Sequence, residues 1–169
     1  THSFFVSASV FFQSNEQLLP SLVDFVASHA EGDSVMDLYS GVGTFSAFLQ
    51  RQGRHVVAVE RQKQCLALAK RHMPYGEFYS EPVEAWAKQN HATVDTVVVD
   101  PPRTGLDATL PSLIASWNCH RVIYVSCNSV TLGRDLQRFA SEGYTLSQVK
   151  VFDLYPQTFH SEVVAILDR

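Results

Sequence analysis

The sequence lacks several features that would assign it to particular classes of protein. No window approaches the ~18 uninterrupted apolar residues that a membrane-spanning helix needs, and residues 1–5 lack the basic start and the long apolar stretch of a signal peptide. We therefore expect a cytoplasmic protein. Internal repeats, low-complexity tracts and long polar linkers are also absent. We expect residues 1–169 to form a single domain that is part of a longer protein.

Cysteine is scarce. The chain has 3 cysteines and no Cys-x-x-Cys spacing, which argues against a disulfide framework and against a cysteine zinc site. Cys65 lies among leucine and alanine in a helical pattern, and Cys119 precedes a strand and belongs to no constellation of reactive polar groups. We expect both to be small buried hydrophobic residues. Cys127 is the cysteine that needs a chemical explanation.

Positive charge is also in short supply. Hydrophobic residues make up 46% and charged residues 18% of the chain, which is typical of a soluble globular domain rather than a disordered one. The formal net charge is −4, the wrong sign for holding nucleic-acid phosphates by bulk electrostatics. If the chain acts on a nucleic acid, a region outside this chain is expected to help bind it.

Apolar runs typical of β-strands alternate with helical patterns along the chain. The predicted strands are 35–39, 56–60, 94–99, 122–126, 149–154 and 163–167. The predicted helices are 15–29, 44–52, 62–72, 83–89, 108–116 and 129–142. This alternation predicts an α/β fold with a mainly parallel sheet and helices on both faces. Only a short segment joins the last two strands, which predicts an antiparallel pair at the edge.

A glycine-containing turn follows the first predicted strand, in the stretch VMDLYSGVGTFS. Gly41 and Gly43 let the backbone turn tightly and approach a ligand, and Glu60 at the end of the second strand can accept hydrogen bonds from ribose hydroxyls. The pattern indicates a nucleotide-like cofactor. A nicotinamide dinucleotide would need a third glycine at the position of Ser46. S-adenosylmethionine, which has no pyrophosphate, is therefore favoured.

Chemically reactive side chains follow two further strands. Asp100 and Arg103 flank two prolines, and Cys127 follows the next strand and immediately precedes a predicted helix. We expect the helix N-terminus to lower the pKa of the thiol and so favour the nucleophilic thiolate. The segment between the last two strands adds His160 and Glu162 as candidate bases. Because open α/β sheets bind ligands at the carboxyl ends of strands, these groups should converge.

Taken together and in order, the motifs of the chain resemble those of the RNA uracil-5 methyltransferase family. The motifs are FFQSN at 11–15, DLYSGVGTFS at 37–46, DPPRTGL at 100–106, SCNSVTLGRDL at 126–136 and PQTFHSE at 156–162. The match covers essentially the whole chain. It implies a Rossmann-like class I methyltransferase fold, with a mainly parallel seven-stranded sheet and an antiparallel C-terminal strand pair.

The resemblance also implies the members of the site. Cys127 is the implied nucleophile and Glu162 the implied general base, without a metal or iron–sulfur cluster in this segment. The residues implied to contact S-adenosylmethionine are Gln13, Tyr39, Gly41, Glu60 and Asp100. Thr44 stands at a cofactor-side position that is often Asn in relatives, and Pro82 stands where some relatives have a polar cofactor-binding residue, so the resemblance leaves the cofactor contacts of these two positions open.

The implied reaction is methylation of uridine C5 in tRNA or ribosomal RNA through a covalent bond between Cys127 and uracil C6. Two alternatives remain open. An exocyclic-amino methyltransferase typically has an aromatic residue after the acid-Pro-Pro motif, where this chain has Arg103. A non-catalytic RNA-binding subunit could keep the same fold without turnover.

Overall fold

The computed structural model describes residues 18–90, 93–153 and 161–169. Within these ranges the helices are α1 (Leu19–His29), α2 (Thr44–Arg51), α3 (Lys63–His72), α4 (Val83–Gln89), α5 (Leu110–Ser116) and α6 (Ser129–Ser141). The strands are β1 (Ser34–Leu38), β2 (His55–Val59), β3 (Glu77–Tyr79), β4 (Thr96–Val99), β5 (Arg121–Ser126), β6 (Thr145–Phe152) and β7 (Glu162–Asp168). The predicted alternation of strands and helices is confirmed.

The strands form one seven-stranded sheet in the order β3-β2-β1-β4-β5-β7-β6. All pairs from β3 to β5 are parallel, whereas β7 runs antiparallel to both β5 and β6. The parallel part needs helical crossovers, and the final pair is joined by a short connection. The expected α/β fold with its antiparallel C-terminal pair is therefore confirmed.

Alternate residues of the central strands supply two hydrophobic cores, one on each face of the sheet. In β4, Val97 and Val99 belong to the core beneath α4, α5 and α6, whereas Val98 belongs to the core beneath α1 and α2. The same alternation occurs in β5, where Tyr124 and Ile123 belong to opposite cores. Because both faces are covered, the central strands are apolar throughout instead of alternating with polar residues.

Two strand assignments differ from the sequence-based prediction. Strand β3 was not predicted, because its three residues are too few to form an apolar run. Strand β6 begins at Thr145 instead of position 149, and all but one of its residues are exposed. An exposed edge strand is selected by its hydrogen bonds to β7 and not by burial, so hydrophobic periodicity does not detect its first half.

The helix bounds agree with the predictions to within two residues, except at α1. The predicted start of α1 at Asn15 lies outside the described residues, and the helix begins at Leu19 after a turn at Leu18. Helix α5 begins two residues later than predicted, because Asp107 Oδ1 accepts hydrogen bonds from both the backbone nitrogen and the hydroxyl of Thr109. In the described ranges, no helix has the length and apolar character needed to cross a membrane.

The strand register brings the candidate site residues to one edge of the sheet. Leu38 pairs with Val99, and Val99 pairs with Tyr124. The residues that follow β1, β4 and β5 therefore emerge side by side. Because β7 is antiparallel, its first residue, Glu162, lies at this same edge next to the end of β5. Backbone pairing alone thus gathers groups that are far apart in the sequence.

Gly43 tests how tightly the glycine turn packs against α3. It has a φ of +80°, and a Cβ built there would lie 2.9 Å from Ala69 Cβ. Gly53 has a similar φ of +87° but no atom within 4 Å of such a Cβ. We expect Gly53→Ala to lower the free energy of unfolding by about 1 to 2 kcal/mol through backbone strain, and Gly43→Ala by roughly 1 kcal/mol more through overlap. Urea denaturation of both variants measures this difference, and equal losses would contradict it.

Candidate functional site

A cavity of about 1050 Å³ opens at the carboxyl edge of the sheet. Every candidate site residue within the described ranges lines it: Tyr39, Gly41, Glu60, Asp100, Cys127 and Glu162. Arg103, Thr44 and Pro82 line it as well. Two candidates, Gln13 and His160, lie outside the described residues. The convergence expected from the sequence is therefore met for the six described candidates.

The carboxylate of Glu60 and the glycine turn are joined by hydrogen bonds. Gly41 N donates to Glu60 Oε2 at 3.2 Å, and Gln62 N donates to Glu60 Oε1 at 2.8 Å. Gly41 has a φ of +54°, and a Cβ built on it would meet no atom within 4 Å. The turn therefore leaves open space beside a fixed carboxylate, which is the arrangement that a ribose with two hydroxyl donors requires.

Tyr39 connects the end of β1 to the first turn of α4. Its φ is +63°, an uncommon value for a residue with a side chain. The Tyr39 hydroxyl donates to Glu84 Oε1 at 2.6 Å, and burial together with the charge of Glu84 raises the pKa of the phenol. Tyr39 is therefore a neutral, half-buried wall of the cavity whose position is fixed by Glu84.

Asp37 lies behind the glycine turn and is fully buried. Its Oδ2 accepts hydrogen bonds from the nitrogen and the hydroxyl of Ser46. Burial raises the Asp37 pKa from 3.8 to about 7, and the Ser46 bonds oppose this rise only in part. Oδ1 has no hydrogen-bond partner among the described residues. Ser46, which replaces the third glycine of a dinucleotide motif, thus holds an internal acid.

Negative charge is concentrated around the reactive end of the cavity. Burial raises the pKa of Asp100 well above its ordinary value, and the charges of Glu162 and Asp37 raise it further. Glu162 is itself buried, with 5% of its surface exposed. Carboxylates this close cannot all ionise without mutual repulsion, so a proton or a cationic ligand stabilises the group.

The environment of Cys127 differs from the sequence-based expectation. Burial raises the pKa of this half-buried thiol, as do the charges of Glu162 and Asp100, while a hydrogen bond from Arg103 acts in the opposite direction. The expected lowering of the pKa by the helix N-terminus was wrong. The side chain of Asn128 caps α6, because its Oδ1 accepts from Val130 N at 3.0 Å, and that donor is unavailable to the thiol.

The charge of the cavity could not be read from sequence motifs. Among the described residues that line it, carboxylates outnumber arginines: Glu60, Glu84, Asp100, Asp107 and Glu162 against Arg61 and Arg103. Glu84 and Asp107 carry no motif signal, because an acidic residue near a helix start is ordinarily explained by the helix dipole. An acidic cavity favours a cationic ligand and disfavours a pyrophosphate, which argues against the nicotinamide alternative.

Cys65 and Cys119 have no role in the proposed chemistry, and the described residues contain no candidate metal site. Cys65 and Cys119 are buried, as expected, although Cys65 also lines the cavity beside Gln62. Within residues 18–90, 93–153 and 161–169, no cluster of three or more His, Cys, Asp and Glu side chains is arranged to hold a metal ion.

The chain is similar to known RNA methyltransferases. A family profile described as tRNA (Uracil-5-)-methyltransferase matches residues 87–169. An uncharacterized RNA methyltransferase of Halalkalibacterium halodurans is 36% identical over 98% of this chain and 38% of its own length. The 23S rRNA (uracil(747)-C(5))-methyltransferase of Pyrococcus abyssi is 35% identical over 98% of this chain and 40% of its own length.

A solved structure extends the similarity to the fold. Pyrococcus abyssi tRNA (uracil-54, C5)-methyltransferase, crystallised with S-adenosyl-L-homocysteine, superposes with a TM-score of 0.87 and 32% sequence identity. The match covers 97% of this chain and 41% of that protein. The chain thus spans about two-fifths of the length of the relatives that it matches.

The buried acid Asp37 gives the protein a measurable pH dependence. Its raised pKa, about 7, means that the folded chain binds the proton more tightly than the unfolded chain does. The stabilisation is therefore complete below about pH 4 and is lost as the pH rises through about 7. Between about pH 5 and pH 8 we expect the wild type to lose roughly 2 to 3 kcal/mol that Asp37→Asn retains.

Urea unfolding of both proteins at several pH values measures the difference. Asp24→Asn, at an exposed position of α1, is the control that removes a carboxylate from the surface. Parallel pH profiles for wild type and Asp37→Asn would show that Asp37 does not titrate in this range.

Proposed function

The chain belongs to the RNA uracil-5 methyltransferase family, and we propose that it is the catalytic part of an enzyme that transfers a methyl group from S-adenosylmethionine to C5 of a uridine in tRNA or ribosomal RNA. The observation that carries this proposal is that Cys127 and Glu162 line the same cavity as Glu60 and Gly41. A nucleophile and a base thus share one space with a turn suited to a nucleoside.

The character of the cavity fits this cofactor. S-adenosylmethionine supplies a methyl group on a positively charged sulfur, which makes that methyl group electrophilic. An excess of carboxylates along the wall suits such a cation. Each oxygen of Glu60 accepts one backbone hydrogen bond and retains a lone pair for a ribose hydroxyl. Tyr39, Gly41 and Asp100 would complete the described part of this binding site, and Gln13 joins them on the family resemblance.

Cys127 activates the uracil ring in this proposal. Carbon 5 of uracil is a poor nucleophile until the Cys127 sulfur forms a bond to C6, which moves an electron pair into an enolate and makes C5 reactive. The thiol must first lose its proton. Because burial and nearby carboxylates raise its pKa, only a small fraction is thiolate at neutral pH, and adduct formation becomes faster as the pH rises.

Glu162 completes the cycle. Once C5 carries the methyl group it still holds its hydrogen, and Glu162 accepts that proton while the C6–sulfur bond breaks. The electron pair restores the ring double bond, and Cys127 leaves as a thiolate. Asp100 and Arg103 line the same cavity and would orient the uracil ring, with the Arg103 guanidinium stabilising charge on the ring oxygens.

RNA affinity must come in part from elsewhere in the protein. The chain carries a net charge of −4, and the walls of its cavity are acidic. The phosphate backbone is repelled by such a surface, whereas a single uracil base can enter it. We therefore propose that segments beyond the two-fifths that this chain spans in its relatives contribute most of the phosphate contacts.

The proposed ribose contact is tested by Glu60→Gln, which keeps the size of the side chain but removes its charge. We expect S-adenosylmethionine to bind about 1 to 3 kcal/mol more weakly, because charged hydrogen-bond acceptors contribute more than neutral ones. Isothermal titration calorimetry measures the affinity. Glu77→Gln, an exposed change on neighbouring β3, serves as the control. Unchanged affinity in a folded Glu60 variant would remove Glu60 from the binding site.

The covalent step is tested by Cys127→Ala in the full-length protein. We expect neither methylated RNA nor a protein–RNA adduct, since C5 is not activated without the thiolate. Cys119→Ala removes a buried thiol outside the cavity and should leave the reaction intact. Mass spectrometry of the RNA and a denaturing gel provide the two readouts. Methylation of uridine C5 by Cys127→Ala would refute this mechanism, and methylation of an exocyclic nitrogen would favour the amino-methyltransferase alternative.

The elimination step is tested by Glu162→Gln. The variant keeps the size of the side chain but cannot accept the C5 proton, so we expect a methylated protein–RNA adduct to accumulate. With labelled RNA and a labelled methyl donor, both labels should migrate with the protein on a denaturing gel. Normal turnover of Glu162→Gln would show that another group removes the C5 proton.

A further inference from the structure

The loop at 103–106, which carries Arg103 at its start, is held by side chains of α6. Asn128, the N-cap residue of α6, donates through Nδ2 to the carbonyl oxygen of Arg103 at 3.1 Å. Thr131 Oγ1 lies 3.3 Å from the same oxygen and 3.1 Å from the carbonyl oxygen of Asn128, and its single proton is shared between these two acceptors. Further along the helix, Arg134 Nη2 donates to the carbonyl oxygen of Thr104 at 2.9 Å. These hydrogen bonds attach the loop to the helix, although the bonded residues are 25 to 30 positions apart in the sequence.

Asp135 is the centre of this attachment. It is fully buried, with 0% of its surface exposed. Its Oδ2 accepts from the backbone nitrogen of Leu106 and from the hydroxyl of Tyr124, each at 2.8 Å. Its Oδ1 accepts from Arg134 Nε at 3.0 Å and Arg138 Nη1 at 2.9 Å. One carboxylate thus connects the loop, strand β5 and two arginines of α6.

The backbone of the loop packs directly onto this carboxylate. Gly105 has a φ of +75°, and a Cβ built there would lie 2.5 Å from Asp135 Oδ2 and 2.5 Å from Arg134 Nη2. No side chain fits at this position. The backbone of Gly105 therefore packs closely against the Asp135 carboxylate, and the position of the loop depends on where that carboxylate lies.

The start of the loop at 103–106 lies beside the Cys127 thiol. Arg103, three residues before Leu106, lines the same cavity as Cys127, and its carbonyl oxygen is bound by Asn128, the residue after Cys127. The Arg103 side chain acts on the thiol in the direction opposite to the charges of Asp100 and Glu162. Among the described residues, Arg103 thus supplies a positive charge that acts on Cys127. On the basis of the proposed function, we propose that Asp135 is a positioning residue: through the loop at 103–106 it holds the Arg103 guanidinium against the Cys127 sulfur.

The proposal has a consequence for the acidity of the thiol. Arg103 lowers the pKa of Cys127, against burial and the two carboxylates, which raise it. If the loop at 103–106 loses its contact with Asp135, the Arg103 guanidinium moves away from the sulfur and the pKa of Cys127 rises further. Less thiolate is then present at a given pH, so every reaction of this sulfur slows near neutrality and recovers at higher pH.

Two pairs of variants of the full-length protein separate positioning from general stability. Asp135→Asn is matched by Asp95→Asn, which alters an aspartate that accepts from Asp33 N, Ser34 N and Ser34 Oγ at the opposite edge of the sheet. Arg134→Gln is matched by Arg54→Gln, since Arg54 also donates to two backbone carbonyls, also far from the cavity. The Arg134 side chain is 43% exposed, whereas that of Asp135 is fully buried, so Arg134→Gln should fold even if Asp135→Asn does not.

The primary readout is the rate at which iodoacetamide alkylates Cys127 as a function of pH, assigned by peptide mass spectrometry to distinguish it from Cys65 and Cys119. We expect Asp135→Asn to alkylate roughly tenfold more slowly at pH 7 and to reach the wild-type rate at higher pH, because one pKa unit changes the thiolate fraction about tenfold. Arg134→Gln should show the same displacement to a smaller degree. Both control variants should retain the wild-type profile.

The methylation assay supplies the second readout. We expect kcat to fall in the Asp135 and Arg134 variants while the affinity for S-adenosylmethionine stays near that of the wild type. An alkylation profile that matches the wild type in the folded variants, or faster alkylation typical of an exposed thiol, would overturn the positioning role. Absence of uridine methylation by the wild-type protein would instead refute the proposed function and leave the alkylation result to decide the role of Asp135.

Discussion

The backbone hydrogen bonds between β1, β4, β5 and β7 determine where every candidate group lies. Parallel pairing of the first three strands aligns their carboxyl ends, and antiparallel pairing brings the start of β7 to the same edge. Cys127 and Glu162, separated by a helix and a strand in the sequence, therefore share one cavity. A slip of one residue in β7 would turn Glu162 to the other face of the sheet.

Negative charge is the second feature on which the site depends. Asp37 and Glu162 both lie close enough for their charges to act on Asp100, and burial removes Asp37 and Glu162 from water. Such a group is costly when ionised without a counterion. A ligand that brings a positive charge relieves this cost, so the electrostatics of the protein and the proposed cofactor are complementary. In the proposed function, the same acidity would keep the RNA phosphate backbone outside the cavity while a neutral base enters it.

Asp135 shows how a buried carboxylate is stabilised when its partners are present. It accepts hydrogen bonds from a backbone nitrogen, a tyrosine hydroxyl and two guanidinium groups. Breaking such a network on one side leaves the remaining charge without its partners, which costs several kcal/mol in buried positions. Asp37 differs from Asp135, because one of its oxygens has no hydrogen-bond partner among the described residues. Asp135 therefore fixes a loop, whereas Asp37 binds a proton more tightly than an ordinary carboxyl group does.

Sequence alone determined the fold class, the order of the strands and helices, and the identity of Cys127 and Glu162 as candidates, because these depend on local periodicity and on contiguous motifs. It missed β3 and the first half of β6, since edge strands are selected by pairing with a neighbour and not by burial. It also gave the wrong direction for the pKa of Cys127. That value depends on Glu162, Asp100 and Arg103, and only the tertiary structure decided their proximity, because electrostatic interactions act through space and not along the chain.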